Sequence, residues 1–214
     1  MANAQDSINK LRVILQEIDP LNSRWTDTGH LLPYLNMGRR DFARESNAVK
    51  ALFEQTTSIG KTTGSRYASY ILDPSVLVID NVYWDDIEVE EVGTNEWDEW
   101  VVGNTDDVGR PEVYRRVGDS IDLWPAPQEA KTLQIYASIL TTDLADLTTL
   151  ESELNEDKTW AALYLAAAQA LNDDNRDGSI NMAKGLKLAR DYKKTITKSG
   201  PRYVERTEAN PWRM

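Results

Sequence analysis

Apolar residues along this chain keep two different periods, and the change between them limits the folds available. At the start, Ile8, Leu11, Leu15 and Ile18 recur at spacings of three and four, one apolar face of a helix. Asp6 reads as its N-cap and Asp19-Pro20 as its end. Leu31, Leu32, Leu35 and Phe42 mark a second helix, in which Pro33 is tolerable because it lies near the start. Asn47 reads as the cap of a third, carried by Val49, Leu52 and Phe53.

From about residue 60 the period shortens. After the turn-rich GKTTGS, β-branched and aromatic residues crowd YASYILDPSVLVIDNVYWDDIEVEEV, which reads as strands. In EVYRRVGDSIDLWPAP two short runs flank Gly118-Asp119, a two-residue hairpin turn with glycine at the positive-φ position. Leu133, Ile135 and Ala137 then alternate as on a half-buried antiparallel strand.

Helical period returns in NEDKTWAALYLAAAQAL, where acids fill the first turn and Trp160, Leu163, Tyr164, Ala167 and Leu171 share a face. A last helix starts near Ser179 and runs to about Lys198, with cations late in its course. The remainder, SGPRYVERTEANPWRM, has no periodicity and reads as an extended tail.

Helices at both ends leave apolar faces open unless they pack on each other. The expected fold is therefore α+β: mainly an antiparallel α-helical bundle (1–60 and 145–198), with a small antiparallel β domain inserted at 61–144 and an extended C-terminal tail at 199–214.

Charge narrows the functional classes. The net charge is −11, but residues 61–140 carry six basic against sixteen acidic side chains, and 181–214 nine against three. An acidic body with a basic end argues against a protein that grips phosphates, because such binding comes from Lys and Arg. No cysteine is present, which excludes disulfides and thiol catalysis. No run approaches ~18 apolar residues, so no membrane association is expected. The amphipathic, mixed-charge N-terminus does not resemble an export signal.

His30 is the only histidine, and a place near a helix start suits a capping or surface residue. Trp84, Trp97 and Trp100 stand among Asp85, Asp86, Glu88, Glu96, Asp98 and Glu99, residue types that a glycan-cleaving site uses. The same tryptophans suit subunit-interface contacts, where Trp is enriched, and that reading is preferred. No catalytic residue and no cofactor is expected.

DDNRDGSINMAK places Asp173, Asn175 and Asp177 at positions one, three and five of a calcium-loop pattern and Gly178 at six. Lys184 stands at position twelve, where a bidentate Glu belongs. The same residue types build a short turn between antiparallel helices.

The order of Trp25, HLLPYLN, YILDPSVLVIDNV, GRPEVYRRVGDSIDLWPAP, LQIYA and WAALYLAAAQALNDD resembles the head-to-tail adaptor proteins of tailed bacteriophages, also called connector or head-completion proteins. The most specific parts are Gly109, Pro111, Tyr114, Leu123, Pro125 and Pro127, with the Ala-rich helix closed by its Asp/Asn turn. The resemblance implies a structural virion protein at the head-tail junction, assembled in the host bacterial cytoplasm. It implies a homo-oligomeric ring, usually of twelve copies, that binds the portal protein on one side and the tail nozzle or tail-tube protein on the other. DNA would pass through its lumen without specific binding. The C-terminal tail of such proteins often reaches along the portal, so Arg202, Tyr203, Arg206, Pro211, Trp212 and Arg213 are the partner-binding candidates. A glycan-binding or glycan-cleaving virion module is the alternative.

The turn reading of Asp173–Asp177 predicts that calorimetric titration with calcium will give no heat of binding in the submillimolar range. A submillimolar isotherm would restore the metal reading.

Overall fold

The computed structural model describes residues 3–17, 24–103 and 107–199. Helix α1 (Ala4–Leu15) is capped by Asn3, whose side chain accepts from the Asp6 amide while Asp6 returns a bond to the Asn3 amide. Asp6 is thus the third helical residue of a reciprocal capping pair, not the cap itself. Ile8, Leu11 and Leu15 are buried as their spacing predicts. The helix stops at Leu15, with Gln16 in the left-handed region; Ile18, Asp19 and Pro20 lie outside the described residues.

One π-helical turn, Asp27–Leu31, leads into α2 (Leu32–Ser46), with Pro33 in the first turn as expected. Asn47 closes this helix instead of opening another. Its φ of 51° is the left-handed conformation that asparagine tolerates, and its amide bonds the Ala43 carbonyl. The expected third helix is strand β1 (Lys50–Thr56). Over KALFEQT, exposed and half-buried residues alternate one by one, and that period overrides the three-and-four spacing of Val49, Leu52 and Phe53.

The strands that follow are β2 (Ala68–Ile71), β3 (Val76–Trp84), β4 (Ile87–Glu91), β5 (Val108–Gly109), β6 (Val113–Val117), β7 (Ser120–Trp124), β8 (Ala126–Pro127) and β9 (Thr132–Ile139), with α3 (Thr94–Gly103) between β4 and β5. Seven of them form one curled sheet in the order β1-β9-β3-β4-β6-β7-β2. Within it all pairings are antiparallel except β4 with β6, which a crossover containing α3 connects in parallel; β5 and β8 form a separate parallel pair. The β6–β7 hairpin turns at Gly118-Asp119, with Gly118 at φ 58°. The fold class is α+β, but the sheet is large enough that the expected emphasis on a helical bundle does not hold.

The two remaining helices, α4 (Glu156–Asp173) and α5 (Ser179–Ser199), complete the bundle. Asn155 caps α4 by accepting from the Lys158 amide. Leu163, Ala167 and Leu171 pack toward α1 and the first half of α2. Ala161, Ala162 and Leu165 pack on the other side, toward Phe42 of α2 and Ala189 of α5. Alanine on both flanks lets three helices approach one backbone.

Two glycines set that approach. A methyl group on Gly38 would meet the Ala162 carbonyl and lie 2.6 Å from the Ala166 amide nitrogen, both backbone atoms that cannot swing away. On Gly185 it would lie 2.7 Å from Leu165 Cγ. Arg12 of α1, nearly fully buried, bonds the Trp25 carbonyl and Asp27, which fixes the entry to α2. Burial raises the Asp27 pKa, but hydrogen bonds from Gln5 and Arg12 outweigh it and leave the carboxyl below its ordinary value.

Gly38→Ala is expected to force α2 and α4 apart at a cost of about 1–3 kcal/mol, read as a fall in thermal midpoint. An unchanged midpoint would contradict the close approach.

Candidate assembly surfaces

Seven tryptophans are rich material for contacts between subunits, and where they point decides which can serve. Trp84 closes β3 with its ring inside the sheet core, 4% exposed, and its Nε1 donates to Thr57 Oγ1 at 3.1 Å. Trp97 of α3 is 1% exposed. Neither has surface left to offer a neighbour, so the expected interface role is corrected to one of internal packing. Trp100 is half-buried, tilted against Trp124 at 5.7 Å between ring centroids.

Trp97 turns inward onto Val92, Val113 and Trp124, and a cation lies over its ring. Arg115 on β6 has its guanidinium 4.7 Å from the Trp97 ring centroid and 5.3 Å from that of Tyr67. Its Nε donates to Asp122 Oδ2 at 3.1 Å, and Asp122 accepts also from Ser69 Oγ. The short helix gains a fixed dock from this contact beside its apolar packing, worth more where water is excluded. Arg115 and Asp122 face each other across the β6–β7 hairpin, which holds the guanidinium in place.

With Trp97 anchored, the outer side of α3 is left to Glu96, Asp98, Glu99 and the exposed Val102. On the β3–β4 hairpin and β4, Asp85, Asp86, Glu88, Glu90 and Glu91 are exposed as well, with Asp85 paired to Lys131 at 3.2 Å. Asp85 and Asp86 both take positive φ, so this turn is built from two acids. The carboxylates lie on an open ridge. The groove lined by Phe53 and Ile71 and the one lined by Arg44 and Leu186 both lie elsewhere. The Trp84 and Trp97 rings are turned in, so neither offers a face beside these carboxylates.

The opposite charge lies on α5. Lys184, Lys187, Arg190, Lys193 and Lys194 are exposed along it; Lys184 also sits 5.4 Å from the Tyr164 ring centroid and Lys194 pairs with Asp191. One molecule therefore carries an acidic ridge on its sheet and a cationic face on its bundle. The remaining basic candidates, Arg202, Tyr203, Arg206, Pro211, Trp212 and Arg213, lie outside the described residues.

The Asp/Asn stretch is drawn to separate partners. Asp173 accepts from the Tyr34 hydroxyl at 2.8 Å, and Asp177 accepts from the Ser179 amide at 2.8 Å at the start of α5. Asn175 takes the left-handed conformation that turns the chain, and Asn172 rather than Asn175 binds the Gly178 amide. Bonds from the Ser179 hydroxyl region and amide hold the Asp177 carboxyl below its usual pKa. Among the described residues no three His, Asp or Glu side chains converge as a metal site would require. His30 is exposed in the π turn, its Nδ1 accepting from the Thr26 amide at 3.2 Å.

Compared with known proteins, the chain matches the family model described as SU10 adaptor protein over residues 2–213. No curated protein matches it.

Arg115→Ala is expected to cost roughly 3 kcal/mol, because it leaves the buried Asp122 without its cation, and to shift tryptophan emission to the red as Trp97 gains water. Unchanged emission would show that α3 docks without the cation.

Proposed function

Because the chain belongs to the SU10 adaptor protein family, a family of phage head-to-tail adaptors, we propose that it forms a ring between portal and tail. Membership supports a structural role in a phage virion; the ring, its partners and the passage of DNA are the finer reading. The observation that carries this reading is the family match along nearly the whole chain. The charge separation supports it. A ring is built from heterologous contacts, each copy presenting two different faces to its neighbours, and an acidic ridge with a cationic helix supplies complementary faces.

In this reading the ring, of about twelve copies by family analogy, binds the portal protein on one side and the tail nozzle or tube on the other. The tail candidates from Arg202 to Arg213 reach the portal, arginines pairing with carboxylates and Trp212 filling a pocket. An acidic wall repels phosphates, so ejected DNA passes without being held. The role is structural rather than catalytic, in keeping with the buried Trp84 and Trp97. Among the described residues no helix is long and apolar enough to cross a membrane.

The test is to mix the purified chain with assembled portal and image the product by electron microscopy, beside a variant truncated after Lys198. A ring seated on the portal, lost or weakened in the truncated form, is the expected result. Absence of binding by either form would end the portal reading.

A further inference from the structure

The sheet curls until its two end strands, β1 and β2, face each other without pairing. Among the described residues β1 pairs only with β9 and β2 only with β7. Each strand thus turns a row of backbone donors and acceptors toward the gap, a state that proteins usually cover. At one end the gap is bridged, the Tyr70 hydroxyl donating to the Ser58 carbonyl at 3.2 Å. Beyond the bridge a groove of about 270 Å³ opens between Phe53–Gln55 of β1 and Ile71–Asp73 of β2, with Ile135 also lining it.

Burial shows that this groove lacks a wall. Phe53 is the cross-strand partner of Ile135, and Gln55 of Leu133, so each pair shares a face. Ile135 and Leu133 are 2% and 0% exposed, yet Phe53 and Gln55 are only half-buried. The face is core on β9 and half-open one strand further. On the far lip Ile71 is 84% exposed.

We propose that residues 202–209 of this same chain, RYVERTEA, occupy the seam in the free subunit as an added strand beside β1. Position is the first argument. Tyr192 of α5 packs edge-on against Phe42 at 5.8 Å, in a cluster with Ala48, Val49 and Leu154. The C-terminal half of α5 therefore arrives where β1 begins, and α5 continues to Ser199. Seven residues carry α5 from Tyr192 to Ser199, about 10 Å of helix, and the five residues 200–204 can span about 17 Å when extended.

Sequence and charge supply the other arguments. Tyr203, Val204 and Thr207 favour strands, and Pro201 and Pro211 bracket the segment, as residues that cannot continue a ladder do. Arg202 and Arg206 fall on one face of an extended chain and Tyr203 on the other. The groove carries Glu54 and Asp73. With the arginines beside exposed Glu54, Tyr203 turns toward half-buried Phe53. This inference concerns the free subunit and does not rest on the portal reading.

Hydrogen exchange read by mass spectrometry tests it, comparing the native chain with Val204→Pro, which removes a ladder donor outside every described element. Peptides covering 50–56 and 68–73 should exchange about tenfold faster in the variant while α4 is unchanged. Glu54→Lys should accelerate the same peptides, and adding Arg206→Glu to it should restore protection. Equal exchange in the native chain and Val204→Pro overturns the proposal. Protection of the native chain that disappears on dilution also overturns it, assigning the seam to a strand from a second copy.

Discussion

Arg39 holds the two halves of this molecule in register. It lies on α2 with its side chain 2% exposed, its Nε 2.8 Å from Glu151 Oε2 and its Nη2 3.1 Å from Glu153 Oε2, and it also donates to the Thr142 carbonyl. These three partners belong to the connection that carries the chain from β9 to α4. One turn earlier, Asn36 forms a two-way bond with Leu144, its amide donating to the carbonyl and its oxygen accepting from the N–H. The Ala4 and Gln5 amides add bonds to the Thr149 and Leu147 carbonyls. A segment with little secondary structure of its own thus has its backbone satisfied by α1 and α2. Removing one partner of a buried ion pair costs about 3–5 kcal/mol, because the other charge is left without compensation, so α4 owes its placement between the other helices to this strap.

The legibility of the sequence followed the strength of each local pattern. α1, α2, α4 and α5 were readable because their apolar spacing extends over several turns, and the β6–β7 hairpin because only glycine suits Gly118. β1 was misread because Val49, Leu52 and Phe53 fit a helix over too short a run to exclude alternation, and Asn47 fits either helix end. The second buried flank of α4 was hidden because alanine does not mark a face by size. The turn at Asp85-Asp86 was hidden because two acids are an uncommon choice for positive φ.

The candidate surfaces were legible in charge and not in aromatic orientation. Block counts of acids and bases located the acidic body and the basic end without any coordinates. Trp97 points inward among partners remote in sequence: Val113 and Trp124 in its cluster, and Arg115, eighteen positions later in the chain, over its ring. Long-range pairing of that sort leaves no local trace in a single sequence. The acidic ridge on α3 follows from it, since the packing that buries the tryptophan leaves the helix's acids facing out.

The central position of α4 has a consequence during synthesis. Its residues are made only after the whole sheet, and until they appear Leu11, Leu35 and Phe42 have lost the partner that covers them. A ribosome that stops before Asn155 therefore releases a product with greasy helices and an unsupported strap, the kind of chain that cellular proteases and chaperones recognise. Finished and unfinished copies are told apart by the fold before any of them meets another virion component.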